Sequence, residues 1–167
     1  FRFLQEQGYE GIPGRVIGRG TDESIALVIL SIGSNHGVAQ GLPAITRDGI
    51  LIGKVIEVNY ATSKVLLVLD SQSNIPSAVQ NATKSPGTVV GHFGLSMSME
   101  YIPQDEVLEL GQTIMTSGIE ETLPANLIIG TVGEISKQPG AFFQSATVTP
   151  ILSYDTIEFV TVLLPKT

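Results

Sequence analysis

The feature that most constrains this chain is a strand–turn–hairpin unit that occurs twice. In the first copy, Leu30–Val58, an apolar run ends at Ser34-Asn35-His36-Gly37, and Gly41-Leu42-Pro43 makes the next bend. Gly37 is expected at positive φ, where a side chain is costly. Ala44-Ile45-Thr46-Arg47 runs into Asp48-Gly49, a strong short-range hairpin signal. Ile50-Leu51-Ile52 leaves that turn, and Gly53 interrupts the strand before Val55–Val58, as at a bulge or a close backbone approach. In the second copy, Gly111–Gly118 resembles Gly41–Gly49 in outline, and Ile128–Ile135 matches Leu51–Val58 almost position for position. A longer loop, Ile119–Leu127, separates its halves. The shared Gly-x-Val-x-Glu favours a duplicated β design over chance.

The rest of the chain is written in the same short phrases. Arg15–Ile17, Ser24–Ile32, Lys64–Leu69, Pro76–Gln80, Thr88–Gly91, Leu95–Ile102, Phe142–Pro150 and Ile157–Leu164 read as strands. Pro76 marks an edge strand. Leu95–Ile102 alternates, with Leu95, Met97, Met99 and Tyr101 on one face and Ser96, Ser98 and Glu100 on the other. Phe1–Gln7 alone reads as helix, with Phe1 and Leu4 on one face and Gly8 as its stop. The chain is therefore expected to be all-β: two small antiparallel Greek-key β-barrels after a short N-terminal helical remnant. The expected divisions are 1–13 for helix end and linker, 14–87 for the first barrel and 88–167 for the second. The last strand is a candidate to cross back to the first barrel.

Composition supports this and excludes several functions. With 167 residues, 43% of them hydrophobic and no Trp, the core must be Val, Ile and Leu, residues suited to strands. A net charge of −7 without a basic cluster speaks against nucleic-acid binding and against docking on anionic lipid. The absence of Cys excludes disulfides, thiolate metal sites and a Cys nucleophile. No stretch is long and apolar enough to span a bilayer. Starting at Phe1 rather than Met, the chain is expected to be a piece of a longer protein.

Catalytic equipment is not visible. His36 and His92 lack metal-ligand neighbours at useful spacing, so no metal site is expected, and no cofactor. Paired β-barrels are also the chymotrypsin architecture, which makes a serine hydrolase worth testing. Its best nucleophile is Ser117 in Thr116-Ser117-Gly118, which lacks the preceding Gly-Asp and the second glycine; His36 or His92 with Asp70 would complete a triad only by coincidence. A Gly-x-Ser-x-Gly elbow is absent. Gly18-Arg19-Gly20 is followed by neither a helix nor a P-loop lysine. Such a module is expected to work through surfaces, edges and loops.

The order and spacing of several short segments resemble the rod shape-determining MreC family, over nearly the whole chain from Arg15 onward. They are Gly14–Arg19, Gly33–Val38 with Gly41-Leu42-Pro43, Ser63–Leu67 with Asp70, Thr116-Ser117-Gly118, Leu123-Pro124-Ala125, Ile129–Val132, Phe143 and Val148-Thr149-Pro150. Ala44, Gln112 and Leu123 depart from the family pattern without disturbing the β reading. The resemblance implies barrels like chymotrypsin halves without a triad, and no enzymatic activity. It implies a single-pass membrane protein with an upstream coiled coil, this region lying periplasmic or extracellular. It implies a homo-oligomer, dimer or filament, that scaffolds the elongation machinery with MreD, the MreB–RodZ system and the elongation-specific transpeptidase. Candidate contact residues are Ser34, Asn35 and His36 in the turn, Met97, Met99 and Tyr101 on the alternating strand, and Glu120, Glu121 and Asn126 in the long loop. A periplasmic adaptor of an export pump is the alternative, although the lipoyl-type hairpin pair of such proteins is not found.

Overall fold

A computed structural model of the chain describes residues 2–20 and 25–165. Twelve strands form two closed, antiparallel six-stranded barrels, as the strand pattern and the family resemblance predict. The first barrel contains β1 (Gly11–Arg19), β2 (Leu27–Leu30), β3 (Pro43–Ile45), β4 (Leu51–Val58), β5 (Ser63–Leu67) and β12 (Phe159–Leu163), in the order β1-β12-β3-β4-β5-β2. The second contains β6 (Asn74–Val79), β7 (Pro86–His92), β8 (Ser96–Pro103), β9 (Thr113–Thr116), β10 (Ile128–Ser136) and β11 (Phe143–Thr149), in the order β10-β11-β8-β7-β6-β9. Each barrel is filled by its own Val, Ile and Leu side chains, among them Leu30, Ile45 and Leu51 in the first and Ile75, Ile102 and Ile114 in the second.

The division expected at residue 87 is corrected. The compact units are 1–67 with 153–167, and 68–152. Residue 87 falls inside β7, which pairs with β6 on one side and β8 on the other, so both strands belong to the second barrel. Strand β12 lies between β1 and β3 in the first. Two further expectations change for the same reason, barrel closure. The linker expected up to residue 13 ends inside β1, because β12 pairs with Gly11–Arg15. Pro76 is not on an edge: β6 has neighbours on both sides, and the Pro76 carbonyl accepts the Ser117 N–H at 3.1 Å.

The duplicated unit is real at the level of backbone hydrogen bonds. Gly41 N–H donates to Val55 O and Val55 N–H to Leu42 O; Gly111 N–H donates to Val132 O and Val132 N–H to Gln112 O. Along β3 and β4 the pairing passes from Ala44↔Gly53 to Ile45↔Leu51, leaving Ile52 extra. Along β9 and β10 it passes from Met115↔Ile128 to Ile114↔Gly130, leaving Ile129 extra. Each copy thus bulges at the residue before its glycine. A Cβ on Gly53 would strike the Leu66 carbonyl oxygen, and one on Gly130 would lie 2.6 Å from that of Thr149. Only glycine lets the neighbouring strand come this close.

Helix α1 (Arg2–Glu6) is short and buries Leu4. It ends as a Schellman motif: Gly8, at φ +92°, donates to Gln5 O, and Tyr9 N–H donates to Leu4 O. Phe1, expected on its apolar face, and Ser24, expected to open the second strand, lie outside the described residues. No helix among the described residues is long and apolar enough to cross a membrane.

Candidate functional site

Closure pairs each strand on both sides, so recognition falls to side chains and loops on the barrel walls. All five described phenylalanines, Phe3, Phe93, Phe142, Phe143 and Phe159, are 52–89% exposed. Isolated apolar residues on a surface are ordinary, but here a whole class of large aromatic side chains lies outside a Val/Ile/Leu core.

The second barrel concentrates this signature at one bulge. Between β8 and β11 the register passes from Met99↔Ala146 to Ile102↔Gln144, so Glu100 and Tyr101 together face Ser145. Tyr101 takes φ +59°, a conformation costly for a side chain of its size, and turns outward. Its ring meets Phe143 edge to face, with centroids 5.9 Å apart and planes at 87°. The two rings line a hollow of about 210 Å³ with Glu100, Ser136 and Gln138, and exposed Phe142 precedes Phe143 in the chain. Gln144 points inward instead and is 3% exposed. Its Nε2 donates to the carbonyls of Pro103 at 3.0 Å, Glu106 at 2.8 Å and Gln104 at 3.5 Å, which fixes the chain leaving β8.

That segment is fixed from its other side as well. The Glu106 carboxylate accepts from Thr83 Oγ1 at 2.6 Å and Ser85 Oγ at 2.8 Å. The hydrogen bond from Thr83, with that from Ser85, holds its carboxyl below the usual carboxylate range. Asn81 donates to Ser85 Oγ at 2.9 Å and, at 3.5 Å, to the Val107 carbonyl. In the first barrel, the Arg19 guanidinium donates to the carbonyls of Tyr154 (3.0 Å) and Ile157 (2.7 Å). Burial pushes the Tyr154 phenol up to about 12.

The residues singled out from sequence fall into different settings. Ser34, Asn35 and His36 form an exposed 3₁₀ turn closed by Gly37 at φ +94°. Its backbone is tied to the next turn, Ser34 N–H donating to Asn59 O and Asn35 N–H to Tyr60 O, while His36 Nδ1 accepts the Gly33 N–H at 3.2 Å. Met97 and Met99 are corrected: they are 2% and 0% exposed and fill the second barrel, so they form no interaction face. The strict alternation that grouped them with Tyr101 fails at the bulge, and Leu95 is exposed because it lies beyond the strand, in the Phe93-Gly94-Leu95 hairpin loop. In the loop Ile119–Leu127, Glu121 and Asn126 are exposed and Glu120 half-buried, while Leu123 and Leu127 anchor it inside. Thr116 clamps its base, donating to Pro124 O at 2.7 Å and accepting from Leu127 N–H at 2.9 Å.

No triad geometry forms among the described residues. Ser117 Oγ has no hydrogen-bond partner, and Asp70 accepts the Gln72 N–H at 2.8 Å in a turn. His92 Nε2 does lie 2.6 Å from Ser98 Oγ across β7 and β8, but no hydrogen bond to an acid orients its other ring nitrogen. No group of three or more His, Asp or Glu is placed to hold a metal among the described residues.

Sequence reasoning missed Phe93, Phe142, Phe143 and Phe159. Phe142 lies before β11, and Phe143 faces outward on it because alternation along the strand turns Gln144 inward. Gln144 takes the inward position because three carbonyls await its amide.

The fold is two closed six-stranded barrels with aromatic side chains and loops exposed on their walls. The chain matches the family described as Rod shape-determining protein MreC, barrel core, over residues 16–164, and it belongs to that family. A cell shape-determining MreC from Cereibacter sphaeroides is 32% identical over 108 residues, covering 64% of this chain and 35% of that protein. The Listeria monocytogenes MreC is 27% identical over 159 residues, covering 93% and 54%. The chain thus spans about a third to a half of these curated relatives. Solved structures of MreC from Listeria monocytogenes (TM-score 0.86, 24% identity, 99% of this chain and 84% of that one) and Pseudomonas aeruginosa (0.85, 24%, 93% and 99%) share the fold. So does MreC from Helicobacter pylori, solved in complex with the penicillin-binding protein PBP2 (0.72, 15%, 92% and 98%).

Proposed function

We propose that this chain is the barrel region of a non-enzymatic envelope scaffold that maintains cell shape. It self-associates and organises the peptidoglycan synthesis complex of cell elongation. It works on the periplasmic or extracellular side as part of a single-pass membrane protein, with MreD, the MreB–RodZ system and the elongation-specific transpeptidase as partners. The observation that carries this reading is the exposure of every described phenylalanine, with Tyr101 held at positive φ beside Phe143. Strain of that kind persists where the surrounding structure enforces it, and it commonly marks a binding site. The Helicobacter pylori complex supports a transpeptidase as one partner.

The test is a titration of the chain against the soluble region of the elongation-specific transpeptidase from the same organism. Replacing exposed Phe142 and Phe143 by Ser is expected to weaken binding by roughly tenfold or more, the effect of losing an aromatic anchor. The circular dichroism spectrum should be unchanged. Wild-type affinity in the double variant would refute the assignment of this face.

A further inference from the structure

Charge is distributed unequally along this chain. Residues 1–67 and 153–167 hold seven of the nine Lys and Arg and eight of the sixteen Asp and Glu, a net −1; residues 68–152 hold two and eight, a net −6. Three of the four arginines, Arg15, Arg19 and Arg47, belong to the outer wall of the first barrel. Arg15 on β1 is the register partner of Phe159 on β12. Pairing of β12 with β3 ends at Thr161↔Ile45, and two residues further along, Arg47 lines a hollow of about 450 Å³ with Phe159, Pro13 and Thr161. Arg15, Phe159 and Arg47 are thus exposed neighbours on this wall, with Arg47 in the turn that follows β3. Asp48 and Glu158 border them. Arg47 has a partner of its own, and a guanidinium with five N–H donors can serve a second.

The second barrel carries a matching element. In Asp105–Leu110, the side chains of Asp105, Val107, Glu109 and Leu110 are exposed, an acid–apolar–acid row at every second residue with Leu110 beyond it. It has no regular structure, yet it is held in place from behind by Gln144, Asn81 and the Glu106 carboxylate. Glu109 N–H also donates to Gln112 Oε1 at 2.8 Å. A segment fixed in this way loses little further freedom on binding.

We propose that the Arg15–Phe159–Arg47 row takes the Asp105–Leu110 segment of a second copy of this chain, Arg15 pairing with Glu109, Arg47 with Asp105 and Phe159 packing on Val107. The inference rests on the self-association proposed above and names its surfaces. The two surfaces differ, so every copy carries both halves of the contact.

Sedimentation velocity of the 167-residue chain over a concentration series, at low and high salt, tests it. Wild type is expected to associate with concentration, and less so at high salt. R15E and E109R are each expected to weaken association by roughly tenfold or more, and R15E/E109R to recover most of the loss by exchanging the charges. Both positions are exposed, and far-UV circular dichroism checks each fold. Association of both single variants at wild-type strength, or no recovery in the double variant, would overturn this pairing and leave self-association standing. A chain that stays monomeric throughout would overturn both.

Discussion

Replacing Gln144 by Leu keeps nearly the same volume in a buried position and removes one amide. The side chain is 3% exposed, so the cost comes from hydrogen bonds and not from packing. Its Nε2 serves the carbonyls of Pro103 at 3.0 Å and Glu106 at 2.8 Å, with Gln104 at 3.5 Å a weaker third. A buried acceptor left without a partner costs about 1–3 kcal/mol. The Pro103 carbonyl keeps the Glu106 N–H at 3.1 Å, so the Glu106 carbonyl is the acceptor left bare, and the loss is about 1–3 kcal/mol. For a chain of this size that lowers Tm by roughly 2–12 °C. Urea denaturation followed by circular dichroism gives the free energy, and calorimetry gives Tm. The same change should raise hydrogen exchange in 104–110, because those carbonyls orient that stretch. A Gln144→Leu protein within about 0.5 kcal/mol of wild type would refute the reasoning, since it would mean that the Glu106 carbonyl finds water without loss.

Other perturbations read other parts of the structure. The Glu106 carboxyl is lowered from its ordinary 4.5 by hydrogen bonds from Thr83 and Ser85, so its stabilisation is complete above that value and is lost as pH falls through the lower folded value. Glu106→Gln should therefore differ most from wild type at neutral pH in denaturation midpoint, with the gap narrowing in acid. Gly53→Ala should destabilise by about 1–3 kcal/mol or more, measured by urea denaturation, because its Cβ meets the Leu66 carbonyl of a fixed neighbouring strand. Gly37→Val should cost about 1 kcal/mol or more in the same assay, since Gly37 holds φ +94°. Glu121→Ala with Asn126→Gly, on the exposed loop, should weaken partner or self-association without changing Tm by more than a few degrees; normal binding would remove this loop from the interface.

The architecture was legible because short apolar runs, Asp48-Gly49 and the repeated Gly-x-Val-x-Glu all act locally. The interior Gly53 signals a bulge or a close backbone approach, and the matching Gly130 of the second copy sits at the same kind of bulge. The division between barrels was legible only in part: the return of the last strand to the first barrel was expected, whereas Asn74–Val79 finds its partners through barrel closure and carries no local mark of it. The surfaces were read least well. Alternation placed Tyr101 with Met97 and Met99, and a bulge set by pairing with β11 separated them. Five exposed phenylalanines defy the ordinary rule that such side chains lie inside, and only the three-dimensional count of what fills each barrel reveals them.

The central claim is that these barrels work by contact through aromatic walls. Hydroxyl-radical footprinting of Phe93, Phe142, Phe143 and Phe159 tests it most directly, comparing the free chain with the same region inside the isolated elongation complex. The account predicts strong protection of Phe142, Phe143 and Phe159 in the complex. Equal labelling of all four in both states would contradict it.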